Sequence, residues 1–451
     1  MSPAGASGTE PTGSPRLLTT AHSIKPVPTA TFIRLSTASV MLLVAGFALA
    51  RPDVVALAAP FTVALYLAVR RARLTQVATE LEVARTEAVE GNRVDGKVTI
   101  RSTGDLDAVV VDVHVGPGLG LQHGLDRRVL AVRAGEEVVV DLGIVAARWG
   151  RTSVGPVHVS ILTAGLAFAG PVPDPPTIRL TVLPSIERFR SDASLPYAVT
   201  AAGSHRSLVR GDGVDFAGIR PFVFGDRLRR VNWKVSQRTR SLQVVDSFTE
   251  RASEVVVLVD SGQDVGTSGG VGGRTSSLDA AVRAAATVTA HHLRRGDAIR
   301  LVGVGHRLRF LRRLTGGRDF VLACNWLLDA PMAEVGEAWA PDRVAALVPP
   351  RATVLALTPL LDERMTTLVA RLRQRGQPVV VVDTLPSGVV PDRLDVYEGL
   401  ARRMWMMERE RTIALLVDSG CPVVPWTTTG ALDRALRELS VAAMAPRTAA
   451  R

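Results

Sequence analysis

The run Glu254-Val-Val-Val-Leu-Val-Asp260 opens the part of the chain that decides its fold. After it, apolar segments typical of strands alternate with longer segments of helical periodicity. The strand-like segments are Val255 to Val259, Ile299 to Val304, Val354 to Thr358, Val379 to Val382 and Val423 to Trp426; the helical segments are Leu278 to Arg295, Asp319 to Asp329, Asp362 to Arg375, Asp392 to Val417 and Ala431 to Ala442. This alternation predicts a doubly wound, largely parallel α/β sheet over residues 254–442. Ligands of such a fold bind at the carboxyl ends of strands, so the loop after Val259 is where we first look for chemistry.

Short alternating segments precede that domain, over residues 78–185. They include Gly96 to Ser102, Ala108 to Val115, Glu137 to Leu142 and Val157 to Leu162. Gly, Pro and Asp separate them at short intervals, which predicts a small antiparallel β-sandwich. Its sequence has no His, Cys or carboxylate cluster with metal-ligand spacing, so packing or partner contact is its expected role.

Two apolar runs lie near the N-terminus, Leu35 to Ala50 and Val54 to Val69, separated only by Arg51-Pro-Asp53. With their flanking residues they approach the ~20 residues that cross a ~30 Å hydrocarbon core. Residues 31–73 are therefore predicted to form a transmembrane helical hairpin; two buried helices of a soluble protein or a signal peptide are the alternatives. Basic residues on both sides place both ends, and so both chain termini, in the cytoplasm of a multi-pass cell-membrane protein. They are Lys25, Arg34, Arg70, Arg71 and Arg73.

Composition adds further expectations. Residues 1–30 are rich in Ser, Thr, Pro and Gly, which indicates a disordered leader, and residues 443–451 are predicted to be a disordered tail. The net charge of +11 favours anionic partners, and abundant Ala, Val, Leu, Gly and Arg suggest a bacterium of high GC content. Cys324 and Cys421 lie in separate apolar stretches, so they are predicted to be buried free thiols in a reducing compartment.

Residues 186–253 join the two predicted domains and contain a dense motif, Gly211-Asp-Gly-Val-Asp-Phe-Ala-Gly-Ile-Arg-Pro-Phe-Val-Phe-Gly-Asp-Arg-Leu-Arg-Arg-Val-Asn-Trp-Lys-Val-Ser-Gln-Arg-Thr-Arg240. Between Arg220 and Arg240 basic residues are interleaved with aromatic ones. One interpretation is a surface for phosphates with rings for stacking. The other is structural, and in it the aromatic residues anchor the core while the arginines pair with acids. The anchors would be Phe216, Phe222 and Trp233, and the acids Asp212, Asp215, Asp226 and Glu250.

This motif resembles the signature of the family catalogued as domain of unknown function 58. The residues that fit the pattern are Gly225, Asp226, Arg229, Trp233, Lys234 and Arg238; Asp215, Phe222, Asn232 and Gln237 stand for its Glu, Tyr, Asp and Ala. Upstream, Arg148-Trp-Gly-Arg-Thr-Ser-Val-Gly-Pro-Val157 is also similar to a segment of the family. The order of hairpin, sandwich, signature and α/β domain agrees as well.

The resemblance implies a membrane-anchored, non-enzymatic interaction or scaffold protein with a von Willebrand factor A-like domain. It also implies a MoxR-type AAA+ ATPase as the associated partner, with the six signature residues as candidates for partner binding. Nucleic acid is not the expected partner, but binding of nucleic acid or anionic lipid by the basic band from Arg220 to Arg240 is the alternative function. A hydrolase is a third hypothesis, disfavoured because the sequence has no visible Ser/His/Asp, Cys/His or metal-ligand constellation.

Domains of the von Willebrand factor A type hold a divalent cation with Asp-x-Ser-x-Ser after the first strand. The resemblance therefore makes Asp260, Ser261 and Asp264 candidate ligands for Mg²⁺, at a degenerate site because Gly262 offers no side-chain oxygen. Thr358 is a poor substitute for a later ligand Asp, and Asp362 is expected to cap the next helix. The alternative for Asp260 is a strand-end residue that ties down its own loop.

Two further motifs lie on predicted helices. His291 and His292 are adjacent, hence about 100° apart, so they cannot converge on a metal as i, i+4 ligands do. The run Met404-Trp-Met-Met407 wraps around its helix, and we expect core packing rather than a partner-binding patch.

Overall fold

A computed structural model describes most of the chain. The described residues are 19–71, 75–122, 127–186, 210–211, 215–224, 226–248, 254–330, 339–350, 352–386, 396–426, 430, 433–434 and 437. The predicted tail at residues 443–451 and nearly all of the helix predicted from Ala431 to Ala442 lie outside them. The chain divides into two compact units, residues 1–183 and 184–451.

Two long helices form a hairpin in the first unit, α1 (Ala30–Ala48) and α2 (Pro52–Arg71). Each is long and apolar enough to cross a membrane, which confirms the two apolar helices predicted from the sequence. Within them only Ser39, Gly46, Ala58 and Ala68 are buried. At Gly46 an added Cβ would lie 2.5 Å from a side-chain carbon of Val55, so glycine lets the two helices approach closely where the hairpin turns.

Twelve strands complete the described part of the first unit. In chain order they are β1 (Thr19–Ile24), β2 (Val27–Pro28), β3 (Thr75–Val83), β4 (Glu87–Val89), β5 (Arg93–Ser102), β6 (Leu106–Val115), β7 (Leu119–Leu121), β8 (Arg127–Val132), β9 (Glu137–Ala146), β10 (Gly150–Thr163), β11 (Phe168–Val172) and β12 (Ile178–Leu183). One sheet has the order β1-β3-β5-β9-β7, and the other β2-β11-β10-β12-β4, with β6 joined to β10 and β8 to β6. Neighbouring strands are antiparallel except β4 and β12, which are parallel.

The buried residues of both sheets belong to one hydrophobic core. Ile100 and Leu142 come from the first sheet and Val111 and Val157 from the second. Along β3 and β6 buried residues alternate with more exposed ones, because successive side chains of a strand point to opposite faces. This explains the period-two pattern of residues 78–185.

The structure differs from the predicted leader over residues 19–28. Strand β1 pairs with β3 along its whole length, from Thr19 opposite Glu80 to Ile24 opposite Thr75. Ile24 is buried in the core of the unit. Backbone pairing and the buried side chain of Ile24 hold a segment whose composition shows no apolar periodicity.

The second unit contains the family-like motif and the α/β part. Its elements are β13 (Arg210–Gly211), β14 (Asp215–Pro221), a 3-10 turn (Leu228–Arg230), α3 (Trp233–Thr239), β15 (Gln243–Phe248), β16 (Glu254–Asp260), α4 (Ser277–Arg294), β17 (Ala298–Val304), β18 (Arg309–Leu314), α5 (Asp319–Leu328), α6 (Pro341–Leu347), β19 (Thr353–Thr358), α7 (Glu363–Gln374), β20 (Val379–Asp383), α8 (Val396–Asp418) and β21 (Val423–Pro425). Strands β13, β15 and β14 form a small antiparallel sheet. A six-stranded sheet has the order β18-β17-β16-β19-β20-β21.

Strand β16 lies inside this sheet between β17 and β19, and all neighbours in the sheet are parallel except β17 and β18. Val255 to Val259 are all buried, as expected for a strand whose two faces are both covered. The prediction of a largely parallel sheet with alternating helices is therefore confirmed. Strand β18 was not predicted, because its sequence Arg309-Phe-Leu-Arg-Arg-Leu314 has no clean alternation.

Three local predictions can be compared with these elements. Asp362 is the N-cap of α7, with its carboxylate accepting the N–H of Arg364 at 2.9 Å, as expected. Cys324 and Cys421 are buried free cysteines, also as expected. Core packing is wrong for Met404 and Met407, because both side chains are exposed on α8.

Replacing Ile100 by Ala is expected to lower the free energy of unfolding of the first unit by about 2–5 kcal/mol, because it removes fully buried carbons and leaves a cavity. Val139 lies on the neighbouring strand β9 and is 47% exposed, so Val139→Ala should cost less than about 1 kcal/mol. Both losses of stability are measured by hydrogen exchange of peptides from β5 and β9, in the full-length protein in detergent. Equal losses for the two variants would contradict the assigned core.

Candidate functional site

Polar side chains lie at the carboxyl ends of three neighbouring strands of the six-stranded sheet. Asp260 ends β16, Thr358 ends β19 and Asp383 ends β20. Because these strands are parallel, their ends meet at one edge, where ligands of such sheets bind. We call this part of the molecule the sheet edge.

Asp260 is buried and is hydrogen-bonded through both carboxylate oxygens. The hydroxyl of Thr358 donates to Oδ2 at 2.7 Å, and the N–H of Gly262 donates to Oδ1 at 3.1 Å. Thr358 Oγ1 in turn accepts the N–H of Leu360 at 3.0 Å. Burial raises the pKa of Asp260, and the bonds from Thr358 and Gly262 oppose that rise. Asp260 therefore links its own loop to the end of the next strand, which agrees with the loop-tying interpretation.

The three residues considered as Mg²⁺ ligands contact different groups. Ser261 donates its hydroxyl to the carbonyl of Val304 at 3.3 Å. Asp264 accepts the N–H of Leu278 at 3.0 Å, in the first turn of α4. Among the described residues no group of three or more His, Cys, Asp or Glu could hold a metal. A hard cation needs several converging oxygens, so Asp260, Ser261 and Asp264 do not fit a Mg²⁺ ligand set in this arrangement.

The sheet edge also contains an ion pair, at Asp383. A guanidinium N–H of Arg409, on α8, donates to Asp383 Oδ1 at 2.6 Å and to the carbonyl of Pro359 at 3.2 Å. Asp383 also accepts the N–H of Leu385 at 3.0 Å. Arg409 is buried, so this contact fixes α8 against the ends of β19 and β20. No local sequence pattern indicates this ion pair, because Arg409 is far from both partners in sequence.

The second unit also buries two histidines and two cysteines, His291, His292, Cys324 and Cys421. His292 shares a 2.8 Å hydrogen bond between its Nδ1 and Asp297 Oδ2, and both side chains are buried. Burial lowers the pKa of the neighbouring His291 to about 4, so its ring is neutral at pH 7. Burial also raises the pKa of Cys324 and of Cys421 to about 12, which leaves both thiols protonated and poorly nucleophilic.

The family-like motif begins with a turn that Asp226 organises. Asp226 accepts two bonds from the guanidinium of Arg220, each 2.7 Å, and the N–H of Val223 at 2.8 Å. The bond from Arg220 is the main cause that lowers the pKa of Asp226 to about 2. The pairing of a basic-band arginine with Asp226 is thus confirmed. Asp212, Gly225, Glu250 and the side chains of Asp215 and Phe216 lie outside the described residues.

Helix α3 follows and is held against β15 by short polar side chains. Asn232 caps the helix by accepting the N–H of Val235 at 3.2 Å. Ser236 donates its hydroxyl to the carbonyl of Asn232 at 2.7 Å and accepts the N–H of Gln243 at 2.8 Å. This arrangement leaves Trp233 at the start of the helix 61% exposed. Trp233 is therefore not the core anchor that the structural interpretation made it, whereas Phe222 is half-buried.

Exposed apolar and basic side chains remain together on this motif. Val223 and Leu228 are mostly exposed and Phe224 is fully exposed. Arg229, Lys234 and Arg238 are also exposed, and none forms an ion pair with a described residue. We call this set the signature surface, consisting of Val223, Phe224, Leu228, Arg229, Trp233, Lys234 and Arg238.

Replacing Thr358 by Val is expected to destabilise the second unit by about 1–3 kcal/mol, because the buried N–H of Leu360 and one oxygen of Asp260 lose their partner. Thr358→Ser keeps the hydroxyl and is the matched control. Thermal unfolding of the full-length protein, followed by tryptophan fluorescence, compares them. If both variants unfold alike, the hydroxyl does not support the sheet edge.

Replacing Asp260 by Asn should change how stability depends on pH. Because burial raises the pKa of Asp260 above the value of about 3.9 in an unfolded chain, the folded protein holds this proton more tightly. That stabilisation is complete below the unfolded pKa and is lost as pH rises through the folded pKa. The stability of Asp260→Asn relative to the natural protein should therefore increase with pH above about 3.9 and then level off. The test is to measure unfolding of both proteins at a series of pH values above about 3.9. If the stability of Asp260→Asn relative to the natural protein falls as pH rises, the pKa of Asp260 is lowered in the folded protein and the prediction is wrong.

Comparison with known proteins gives one informative match. No curated protein matches the chain. Solved structures similar to it include the C-terminal domain of wzt (14% identity, 25% of this chain and 74% of that chain, TM-score 0.19), the cupredoxin domain of amoB from Nitrosocaldus yellowstonii (10%, 25% and 88%, 0.18) and an active-site mutant of a family two carbohydrate esterase from Clostridium thermocellum (10%, 79% and 90%, 0.17). These TM-scores are too low to support any argument about fold or function.

The informative match is to a family model and covers residues 218–388. That range includes the signature surface as well as Asp260, Thr358 and Asp383 of the sheet edge. The resemblance drawn from the motif is thereby confirmed, because residues 218–388 match the model of the family described as protein of unknown function DUF58.

Proposed function

We propose that this protein is a membrane-anchored docking protein, whose cytosolic part binds a protein partner through the signature surface and catalyses no reaction. The observation that carries the proposal is the exposure of Phe224 and Trp233 within the family motif. A structural motif would bury its large rings, whereas interfaces are enriched in exposed Trp, Phe and Arg. Val223 and Leu228 add aliphatic surface between them.

The anchor in this proposal is the α1–α2 hairpin, spanning the cell membrane twice. Arg70 and Arg71 end α2, and the positive-inside rule then places both hairpin ends in the cytoplasm. The pairing of β1 with β3 supports the same topology, because Ile24 before the hairpin lies opposite Thr75 after it. Two positions paired in one sheet are on one side of the membrane. Both units and both chain termini are then cytosolic.

We further propose that the first unit is a β-sandwich and that the α/β part is von Willebrand factor A-like. In the α/β part Asp260 and Thr358 are hydrogen-bonded to each other at the position where such a domain would hold a cation. Because these groups are occupied with each other, we expect partner binding to depend on the exposed motif and not on Mg²⁺. The family resemblance nominates a MoxR-type AAA+ ATPase as the partner.

The test is binding of the MoxR-type ATPase of the same organism to full-length protein in detergent, with and without Mg²⁺. The double variant Phe224→Ser with Trp233→Ser is expected to weaken binding about tenfold or more, as loss of a central aromatic anchor does. Val129→Ser is the control, since it removes an exposed apolar side chain from β8 in the first unit. Binding that survives the double variant, or that Val129→Ser weakens equally, would contradict the proposed surface.

A second candidate function is binding of anionic lipid or nucleic acid by the basic band. It is favoured by the exposure of Arg229, Lys234, Arg238 and Arg240 without ion pairs to described residues. Each such residue near an anionic membrane contributes about 1 kcal/mol. Salt-sensitive binding to phosphatidylserine vesicles or DNA, lost when Arg229, Lys234 and Arg238 are replaced by Gln, would favour this function over protein docking.

A further inference from the structure

Helix α8 presents two opposite faces. Arg409 and Leu416 are buried, and Met406 and Ile413 are half-buried. At about 100° per residue these four side chains lie on one side of the helix. This side packs on the rest of the second unit, through the Arg409 contact and the hydrophobic core that includes Leu416.

The opposite face has an exposed apolar stripe. It consists of Tyr397, Leu400, Met404, Met407 and Leu415, whose exposed fractions range from 52% to 81%. The same geometry places the five within an arc of about 80°, diametrically opposite the buried face. The first four follow the spacing of three, four and three residues that marks the seam between two packed helices. No described residue covers the stripe.

We propose that the stripe is a self-association surface, on which α8 of a second copy packs antiparallel about a two-fold axis near Met406. In this register Met404 meets Met407 of the other copy, twice, and Tyr397 lies near Ala414. Leu400 lies near Arg411 of the other copy. The proposal does not rest on the proposed docking function, since it uses neither the signature surface nor the membrane anchor.

Charged residues beside the stripe favour an antiparallel over a parallel arrangement of the two α8 helices. Arg403 and Glu410 are both exposed and lie on the same flank of the stripe, two turns apart and too distant to pair within one helix. In an antiparallel pair equal flanks face each other, so Arg403 of each copy meets Glu410 of the other. A parallel pair would instead bring the two Arg411 side chains together in the seam. The antiparallel pair separates them by about 15 Å along the helix.

Charge also favours a second copy over other occupants. Around the stripe Arg403 and Arg411 balance Glu408 and Glu410, so the face has no net sign to select an anionic membrane or an acidic partner. A two-fold interface requires a surface complementary to itself, and Arg403 with Glu410 supplies that on one flank.

The experiment measures the oligomeric state of the full-length protein in detergent by light scattering over a concentration series. The natural protein is expected to dimerise. Arg403→Glu should weaken dimerisation at least about tenfold, because it turns two attractive contacts into repulsive ones. Adding Glu410→Arg to that variant should restore the dimer, because the swapped charges pair again, and Val129→Ser should have no effect.

Disulfide cross-linking fixes the orientation independently, and the natural cysteines do not interfere because both are buried. Copies carrying Tyr397→Cys should cross-link to copies carrying Ala414→Cys, and Ala414→Cys should not link to itself. A protein that is monomeric at all concentrations, a dimer unaffected by Arg403→Glu, or efficient Ala414→Cys self-linking would each overturn the proposal. So would a monomer that dimerises only after residues 427–451 are removed, since the chain's own C-terminal segment would then occupy the stripe.

Discussion

The sheet edge depends on keeping a buried carboxylate, that of Asp260, hydrogen-bonded. A carboxylate without water must accept bonds from protein groups or take up a proton. Thr358 and Gly262 provide those bonds, which joins the end of β16 to its own loop and to the end of β19. Asp383 meets the same requirement with a cation, Arg409, and so positions α8. The two solutions differ, because the donor to Asp260 is a neutral hydroxyl and the donor to Asp383 is a cation.

The elements predicted correctly from the sequence are those whose burial or capping depends on residues close together in the chain. Val255 to Val259 form a continuous apolar run because both faces of the strand are covered, and Asp362 caps its helix with a bond to a residue two positions away. Strand β1 could not be predicted in this way, because it depends on pairing with β3 across the whole hairpin. The orientation of α8 likewise depends on Arg409 reaching Pro359 and Asp383.

The candidate sites likewise combine features that the local sequence indicates with features that only contacts in the fold determine. The motif identified the family, but composition alone could not tell whether its rings face inward. Small polar residues decide the matter, because Asn232 caps α3 and Ser236 accepts the N–H of Gln243 in β15, which together set the direction of Trp233. For the cation site the sequence supplied the residue types, while the fold directs Ser261 towards β17 and Asp264 towards α4. Residue type at a given spacing thus identifies candidates, and hydrogen-bond partners decide among them.

In the membrane topology proposed above, the pairing of β1 with β3 has a mechanical consequence for the hairpin. A chain tethered by one flexible strand can swivel and tilt freely, whereas here two adjacent, hydrogen-bonded strands flank the hairpin in sequence. Such a double connection resists rotation about the membrane normal more strongly than a single one. A force that tilts the strands would then also strain the backbone hydrogen bonds between β1 and β3 near Ile24 and Thr75. The strands are therefore expected to follow the orientation of the two helices instead of moving independently of them.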